Sequence, residues 1–302
     1  MLPSLSVVMC TYNGAAFVEA QVQSILAQTY PFDALVIVDD ASTDDTYAIL
    51  QELAATDQRI QLFQNPTNLG YNANFEKAVR LSEGSYIAFA DQDDIWEPNK
   101  LNILMQAIKP ETALIYCDSV RFTDTPPTQP KPNKKNRRIE GHDPILLAMF
   151  NTVSGHASIV RRSALMPILP FPKAIYYDWW MAIHATVSGG LQFHPFIGVY
   201  QRMHTQNITI QQGLSEQEHR HRYRIMLNNH LAAFAAIQGF PSTVQQFFTR
   251  FSWLWQRSVT HRFNWSLFVF LLTHHRKLFY YKVRRIPIVS AFKVSFLFCF
   301  RR

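Results

Sequence analysis

Four short stretches hold residues whose types and spacing suit chemistry. Asp91-Gln92-Asp93-Asp94 sets carboxylates within two residues of each other just beyond the apolar run Tyr86–Ala90. Hard divalent cations such as Mg²⁺ and Mn²⁺ take oxygen ligands and complete their shells with substrate phosphates, so Asp91 and Asp93 are candidate ligands. A cation there can neutralise a diphosphate leaving group. The same residues also read as an acidic turn that caps the helix starting near Pro98. Asp39-Asp40 follows the run Ala34–Val38, and Thr11-Tyr12-Asn13 follows Leu5–Cys10. A carboxylate accepts the N3–H of a uracil or thymine ring, and a tyrosine stacks on that ring. Helix capping through Ser42 and the acids after it is compatible with that role. In Tyr176-Tyr177-Asp178-Trp179-Trp180, capping is again the default for an acid at a helix start. The tryptophans beside it suit the apolar side of a sugar ring, and aromatic walls raise a carboxylate towards a general base's working range. The fourth stretch is Gln201-Arg202-Met203-His204-Thr205-Gln206-Asn207, where His204 suits metal or phosphate contact or a structural role.

These stretches need a scaffold that brings strand ends together. Leu5–Cys10, Ala34–Val38, Ile60–Phe63, Tyr86–Ala90 and Ala113–Cys117 read as strands by length and β-branched content. Between them, apolar residues recur at helical spacing from Phe17 to Leu26, from a capping-box-like Ser42-Thr43-Asp44-Asp45 to about Ala55, and over Asn72–Ser82. Alternating strands and helices predict an α/β fold, a mostly parallel sheet with helices on both faces. Such sheets bind ligands at the carboxyl ends of their strands. Further on, the pattern predicts a mobile Pro-rich basic loop over 124–138, a helix near Ile145–Phe150, a strand over His156–Val160, a helix over Asp178–Val187 and a strand over Phe196–Tyr200. From Ser215 onward everything reads as helix.

Charge divides the chain. Residues 1–199 carry 14 Lys and Arg against 20 Asp and Glu, whereas residues 200–302 carry 15 against 2, giving net charges of −6 and +13. With 48% hydrophobic and 17% charged residues the chain is globular, not disordered. Cys10, Cys117 and Cys299 are too few and scattered for a disulfide framework or a zinc site, which points to a reduced, cytoplasmic protein. The N-terminus has no basic region before a long apolar run, which argues against a secretory signal. Trp265–Thr273 is about half the roughly 20 residues a membrane span needs. No G-x-G-x-x-G follows the first strand and no G-x-x-x-x-G-K-[ST] occurs, which argues against dinucleotide oxidoreductases and P-loop enzymes. No G-x-S-x-G elbow is present.

Taken together and in order, SVVMCTYNG, LVIVDDASTDDT, NLGYNANFEKA, YIAFADQDDIWEPNKL, YYDWWMA and VYQRMHTQN resemble glycosyltransferase family 2, in particular its bacterial polysaccharide-building members, including rhamnosyltransferases. The resemblance covers roughly residues 4–210. It implies a GT-A (Rossmann-like) domain over 1–212, followed by a basic, aromatic-rich helical region over 213–302. By position, Tyr12 resembles the residue packing on the nucleotide base, with Thr11 beside it. Asp40 resembles the carboxylate that holds the base, with Asp39 as neighbour. Asp91 and Asp93 match the family's Asp-x-Asp, with Asp93 the direct ligand of Mg²⁺ or Mn²⁺. Asp178 matches the catalytic base, with Trp179 and Trp180 as its aromatic followers, and His204 sits near the donor diphosphate. Thr205 departs from the Gly that many relatives carry there. The implied reaction is inverting transfer of a hexosyl or rhamnosyl group from a UDP- or dTDP-sugar to a hydroxyl of a cell-surface glycan, lipid-linked by expectation. Two alternatives stand beside it: a sugar nucleotidyltransferase and a non-catalytic nucleotide-sugar-binding subunit. The loop after the first strand lacks the basic residues of the former. The cationic tail suits anionic headgroups at about 1 kcal/mol per nearby Lys or Arg, predicting a peripheral protein on the inner face of the cytoplasmic membrane. The interleaved aromatics argue against a nucleic-acid partner.

Overall fold

The computed structural model describes residues 2–132, 134, 136–205, 215–258, 263–283 and 287–299. Within this range the apolar runs become strands and the periodic segments become helices. The chain divides into two compact units. The first comprises Met1–Asn133, Glu140–His142 and Val153–His204, and the second Lys134–Ile139, Asp143–Thr152 and Thr205–Arg302.

The first unit runs β1 (Leu5–Thr11), α1 (Val18–Leu26), β2 (Ala34–Asp39), α2 (Thr46–Thr56), β3 (Ile60–Gln64), α3 (Tyr71–Leu81), β4 (Tyr86–Asp91), β5 (Ile95–Trp96), α4 (Lys100–Ala107), β6 (Leu114–Phe122), β7 (Ser158–Arg161), α5 (Arg162–Leu165), α6 (Tyr177–Ser188) and β8 (Leu191–Arg202). One eight-stranded sheet holds the order β3-β2-β1-β4-β7-β6-β8-β5. β1 to β4 are parallel neighbours, as are β6 and β8. β7 runs antiparallel between β4 and β6, and β5 antiparallel to β8. The expected α/β, mostly parallel architecture is therefore the one observed. β1 and β2 are buried along almost their whole length, which explains why they read as continuous apolar runs rather than alternating ones.

Register decides where the chemistry goes. Thr11 pairs with Asp39 across β1 and β2, and Cys10 with Asp91 across β1 and β4. Chain order reverses about β1, so the carboxyl ends of β1, β2 and β4 open one crevice at a topological switch point.

Several local expectations change. The segment Ser42–Asp45 is not the first turn of a helix. α2 begins at Thr46, because the Ser42 hydroxyl and amide both bond to Asp39 instead of to helix amides. β6 extends to Phe122, and residues 155–157 form a 3-10 turn ahead of β7.

The second unit contains α7 (Glu216–Ala236), α8 (Ser242–Arg257), α9 (Trp265–Thr273), α10 (His275–Leu278) and α11 (Pro287–Phe298). Ser215 and Glu218 close a capping box at the start of α7, with the Glu218 carboxylate accepting from Ser215 N at 2.8 Å. Phe234, Phe248, Phe251 and Trp255 form its buried aromatic centre. Near its end, the segment read as a mobile loop is tied to this unit at Asn136 and Arg137. Asn136 pairs with Lys282, and Arg137 N donates to the Tyr281 carbonyl at 2.7 Å. Among the described residues, no helix is long and apolar enough to cross a membrane.

Candidate active site

The crevice is built from loops that the strand ends hold still. Asp39 lies fully buried at the end of β2 and accepts from the Thr11 hydroxyl at 2.9 Å, Ser42 N at 2.9 Å and Gln64 Nε2 at 3.2 Å. Asp40 is 3% exposed. Its Oδ1 accepts from Asn65 Nδ2 at 2.7 Å and Leu69 N at 2.9 Å, and its Oδ2 from Gly70 N at 2.9 Å. Gly70 has φ +83°, which only glycine adopts without strain, and this places the loop amides against Asp40. Both carboxylates expected at the base are thus already hydrogen-bonded in fixing the loops around it. Thr11 is buried with Asp39, whereas Tyr12 is 45% exposed and keeps a ring available for stacking.

Gln92 ties the base loop to the acidic loop. Its amide accepts from Tyr12 N at 2.8 Å and donates to Tyr12 O at 3.0 Å. A Cβ on Gly14 would fall 2.4 Å from Gln92 Oε1, so the small residue in TYNG makes room for this clamp.

Beneath lies the acidic cluster. Asp91 Oδ2 hydrogen-bonds His156 Nδ1 at 3.0 Å, and Asp94 Oδ2 is an ion-pair distance of 3.1 Å from the same nitrogen without the angle of a hydrogen bond. Asp94 Oδ1 accepts from Arg202 N at 3.2 Å, and Arg202 Nε donates to the Asp93 carbonyl at 3.1 Å, so the end of β8 locks the loop. Asp93 Oδ2 contacts His204 Nε2 at 2.8 Å, and the His204 ring stacks on Phe17 with centroids 4.4 Å apart. Gln206 and Asn207 of the same motif lie outside the described residues. Below the cluster, Lys100 is fully buried. Its ammonium donates to the His156 carbonyl at 2.5 Å and sits 3.2 Å from the centroid of the Trp96 ring.

Burial pushes Asp94 upward, and Asp91 and Asp93 add to the rise. Burial works against a charged His156, yet Asp94 and Asp91 outweigh it and hold the imidazole above its ordinary value. Such a cluster gains from added positive charge. Asp91, Asp94 and His156 offer ligand atoms within 4.8 Å of one another, and Asp94 Oδ2 and His156 Nε2 are buried without hydrogen-bond partners. Carboxylate oxygens with one imidazole suit a divalent cation of the Mg²⁺ or Mn²⁺ type. Asp91 belongs to both the expected pair and this triad, but Asp93 is turned towards His204 because β8 brings that ring alongside it. His156, Gln92, Arg202 and Lys100 were given no role from sequence. The only signal for His156 is a Gly-His pair ahead of a strand.

Asp178 stands in the first turn of α6. Burial pushes its carboxyl up to about 6, Asp91 adds to the rise, and the amides of Trp179 and Gly155 oppose it. Tyr177 anchors the helix start in an aromatic cluster, 4.5 Å from Phe75 and 5.5 Å from Phe89 between centroids. One expectation is corrected here. Trp179 is 3% exposed, packed into the core rather than offering a face to a sugar. Trp180 is half-buried and donates to the Ile168 carbonyl at 3.0 Å.

The family model for glycosyl transferase family 2 matches residues 6–169, more than half of the chain. The chain belongs to glycosyl transferase family 2. The family 2 match takes in β1 to β7 and every acidic residue of the crevice except Asp178. An uncharacterized glycosyltransferase of Haemophilus influenzae is 34% identical over 215 residues, 67% of this chain and 66% of that one. TuaG of Bacillus subtilis is 39% identical over 99 residues, 33% of this chain and 39% of that one. The chain thus spans less than two thirds of the length of these curated relatives. Among solved structures, S. aureus TarS 1–349 in complex with UDP-GlcNAc matches with a TM-score of 0.60 at 16% identity, covering 97% of this chain and 90% of that one. The mannosyltransferase PcManGT from Pyrobaculum calidifontis, in complex with GDP-Man and Mn²⁺, matches with a TM-score of 0.60 at 18% identity, covering 98% and 80%. At those identities the likeness carries the fold, the GT-A architecture expected of the family.

Proposed function

We propose that this protein is an inverting glycosyltransferase that moves a sugar from a UDP- or dTDP-sugar to a hydroxyl of a glycan acceptor. The observation that carries this reading is one crevice holding two differently tuned acidic groups. An acidic, histidine-bearing cluster lies at the end of β4, and Asp178, pushed up to about 6, stands at the start of α6. The first suits a diphosphate with a divalent cation, the second a general base. TarS with UDP-GlcNAc and PcManGT with GDP-Man support a nucleotide-sugar donor.

In the proposed reaction Tyr12 stacks on the base, with Asp40, Asp39 and Thr11 holding the loops that flank it. Asp91, Asp94 and His156 would hold a divalent cation, with Asp93 and His204 at its rim. That cation, when bound, supplies positive charge to offset the diphosphate. Asp178 accepts the acceptor hydroxyl's proton as its oxygen forms a bond to the anomeric carbon. The bond from that carbon to the diphosphate oxygen breaks on the opposite face, and the nucleoside diphosphate leaves with the electron pair. One displacement inverts configuration. Residues 1–212 serve this step as the transferase domain and 213–302 as its helical appendage. The basic, aromatic-rich composition of that appendage suits an acceptor presented on an anionic membrane, in a protein on the cytoplasmic face. A thermal-shift and mass-spectrometric panel of nucleotide sugars with Mn²⁺ tests the reading. One UDP- or dTDP-sugar should stabilise the protein and yield nucleoside diphosphate. No stabilisation by any donor, or nucleotide-sugar synthesis from a sugar 1-phosphate and a nucleoside triphosphate, would overturn it.

A further inference from the structure

The last helix of the second unit carries large apolar side chains on its surface. α11 buries Ala291 and Ser295 while exposing Val289, Phe292, Phe296 and Leu297, which recur at helical spacing on one face. A helix that answers only to water does the reverse. α9 adds Trp265, 69% exposed, and Val269 one turn on. These side chains form one surface. Phe263 lies 4.7 Å from Trp265 and 5.4 Å from Phe296, and Phe268 lies 5.3 Å from Phe292, all between ring centroids. Apolar surface of this kind marks an interaction site.

Its partner can be read from the charge around it. Lys293 is exposed on the same face of α11. Arg250 of α8 lines a groove of about 360 Å³ together with Trp265 and Val269. From His219 to Arg302 the chain carries 14 Lys and Arg and no Asp or Glu. Exposed aromatics with Arg250 and Lys293 beside them, in a stretch of sequence without acids, match the interface of an anionic bilayer, where amphipathic helices lie in the plane of the headgroups. α9 spans 9 residues and α11 spans 12, lengths that suit lying in that plane rather than crossing it.

We propose that the α9–α11 face is a membrane-docking surface, in which Trp265, Phe292 and Phe296 enter the headgroup region of an anionic bilayer while Arg250 and Lys293 meet lipid phosphates. Cosedimentation of the full-length protein with phosphatidylcholine vesicles, with and without 30% phosphatidylglycerol, tests it. Wild type pellets with the anionic vesicles and stays in solution with the neutral ones. Trp265→Ser/Phe292→Ser/Phe296→Ser binds at least tenfold more weakly, and Arg250→Glu/Lys293→Glu loses most of the preference for anionic lipid. Because the replaced side chains are exposed, circular dichroism and Tm stay at wild-type values. As a second measurement, brominated acyl chains quench wild-type tryptophan fluorescence, and Trp265→Phe removes at least half of that quenching. Wild type left in the supernatant with anionic vesicles overturns the proposal. So does a triple variant that pellets as wild type does, or one whose only change is loss of a dimer on gel filtration, which would assign the face to a second copy. The readout needs no nucleotide sugar. Vesicle binding without donor binding would sink the transferase reading and leave this one standing.

Discussion

At the scale of single residues, Asp178 and His156 are the sharpest tests. Asp178→Asn keeps the helix start and removes the proposed base, so kcat should fall by about 10² to 10⁴, with the Kd for donor within a few-fold of wild type. In the proposed reaction the carboxyl acts when deprotonated. Since its folded value is raised to about 6, kcat should be flat above that pH and drop about tenfold per unit below it. A profile still flat at pH 5 would remove Asp178 from the role. His156→Asn takes an imidazole from the buried cluster, and apparent Mn²⁺ affinity by titration should weaken about tenfold or more. Unchanged affinity would leave the acids alone to hold the ion. The paired acids and Asp178 were legible in sequence because motif and position coincide. His156 was not, since 65 residues separate it from Asp91, and a lone histidine before a strand has no local signature.

At the scale of elements, the start of α6 is aimed by the packing of Tyr177. A Cβ added to Gly155 would fall 2.0 Å from the Tyr177 hydroxyl, so Gly155→Ala must displace either the 3-10 turn that carries His156 or the helix that carries Asp178. Overpacking of this kind costs about 1–3 kcal/mol. Denaturant unfolding should report that loss, and turnover should drop further than stability alone explains. Wild-type turnover in this variant would uncouple Tyr177 packing from the site. Strand and helix types followed from periodicity, and most bounds fell within a few residues. The loop at Ser42–Asp45 misled because a capping-box pattern and a loop that satisfies Asp39 use the same residue types. Only the neighbour in space, Asp39 on β2, decides between them.

At the scale of the whole molecule, cation binding and stability are linked. A divalent ion that binds the folded crevice and not the unfolded chain adds about 2.7 kcal/mol at 100 times its Kd. Mn²⁺ should therefore raise Tm reversibly, with EDTA returning it, and the gain should shrink at low pH as protons compete for Asp94 and His156. An identical Tm with Mn²⁺ and with EDTA would exclude a tightly held ion.

Sequence by itself determined the α/β alternation, the order of the acidic motifs and the division between an acidic body and a cationic tail, because each is written in neighbouring residues. Tertiary structure alone decided which acids meet His156, that Asp39 and Asp40 are hydrogen-bonded into the surrounding loops, and that Trp179 is core. It also decided that α11 turns its apolar face outward. Each of these depends on register across the sheet or on packing between segments far apart in the chain, and periodicity within one segment carries no record of what that segment will meet.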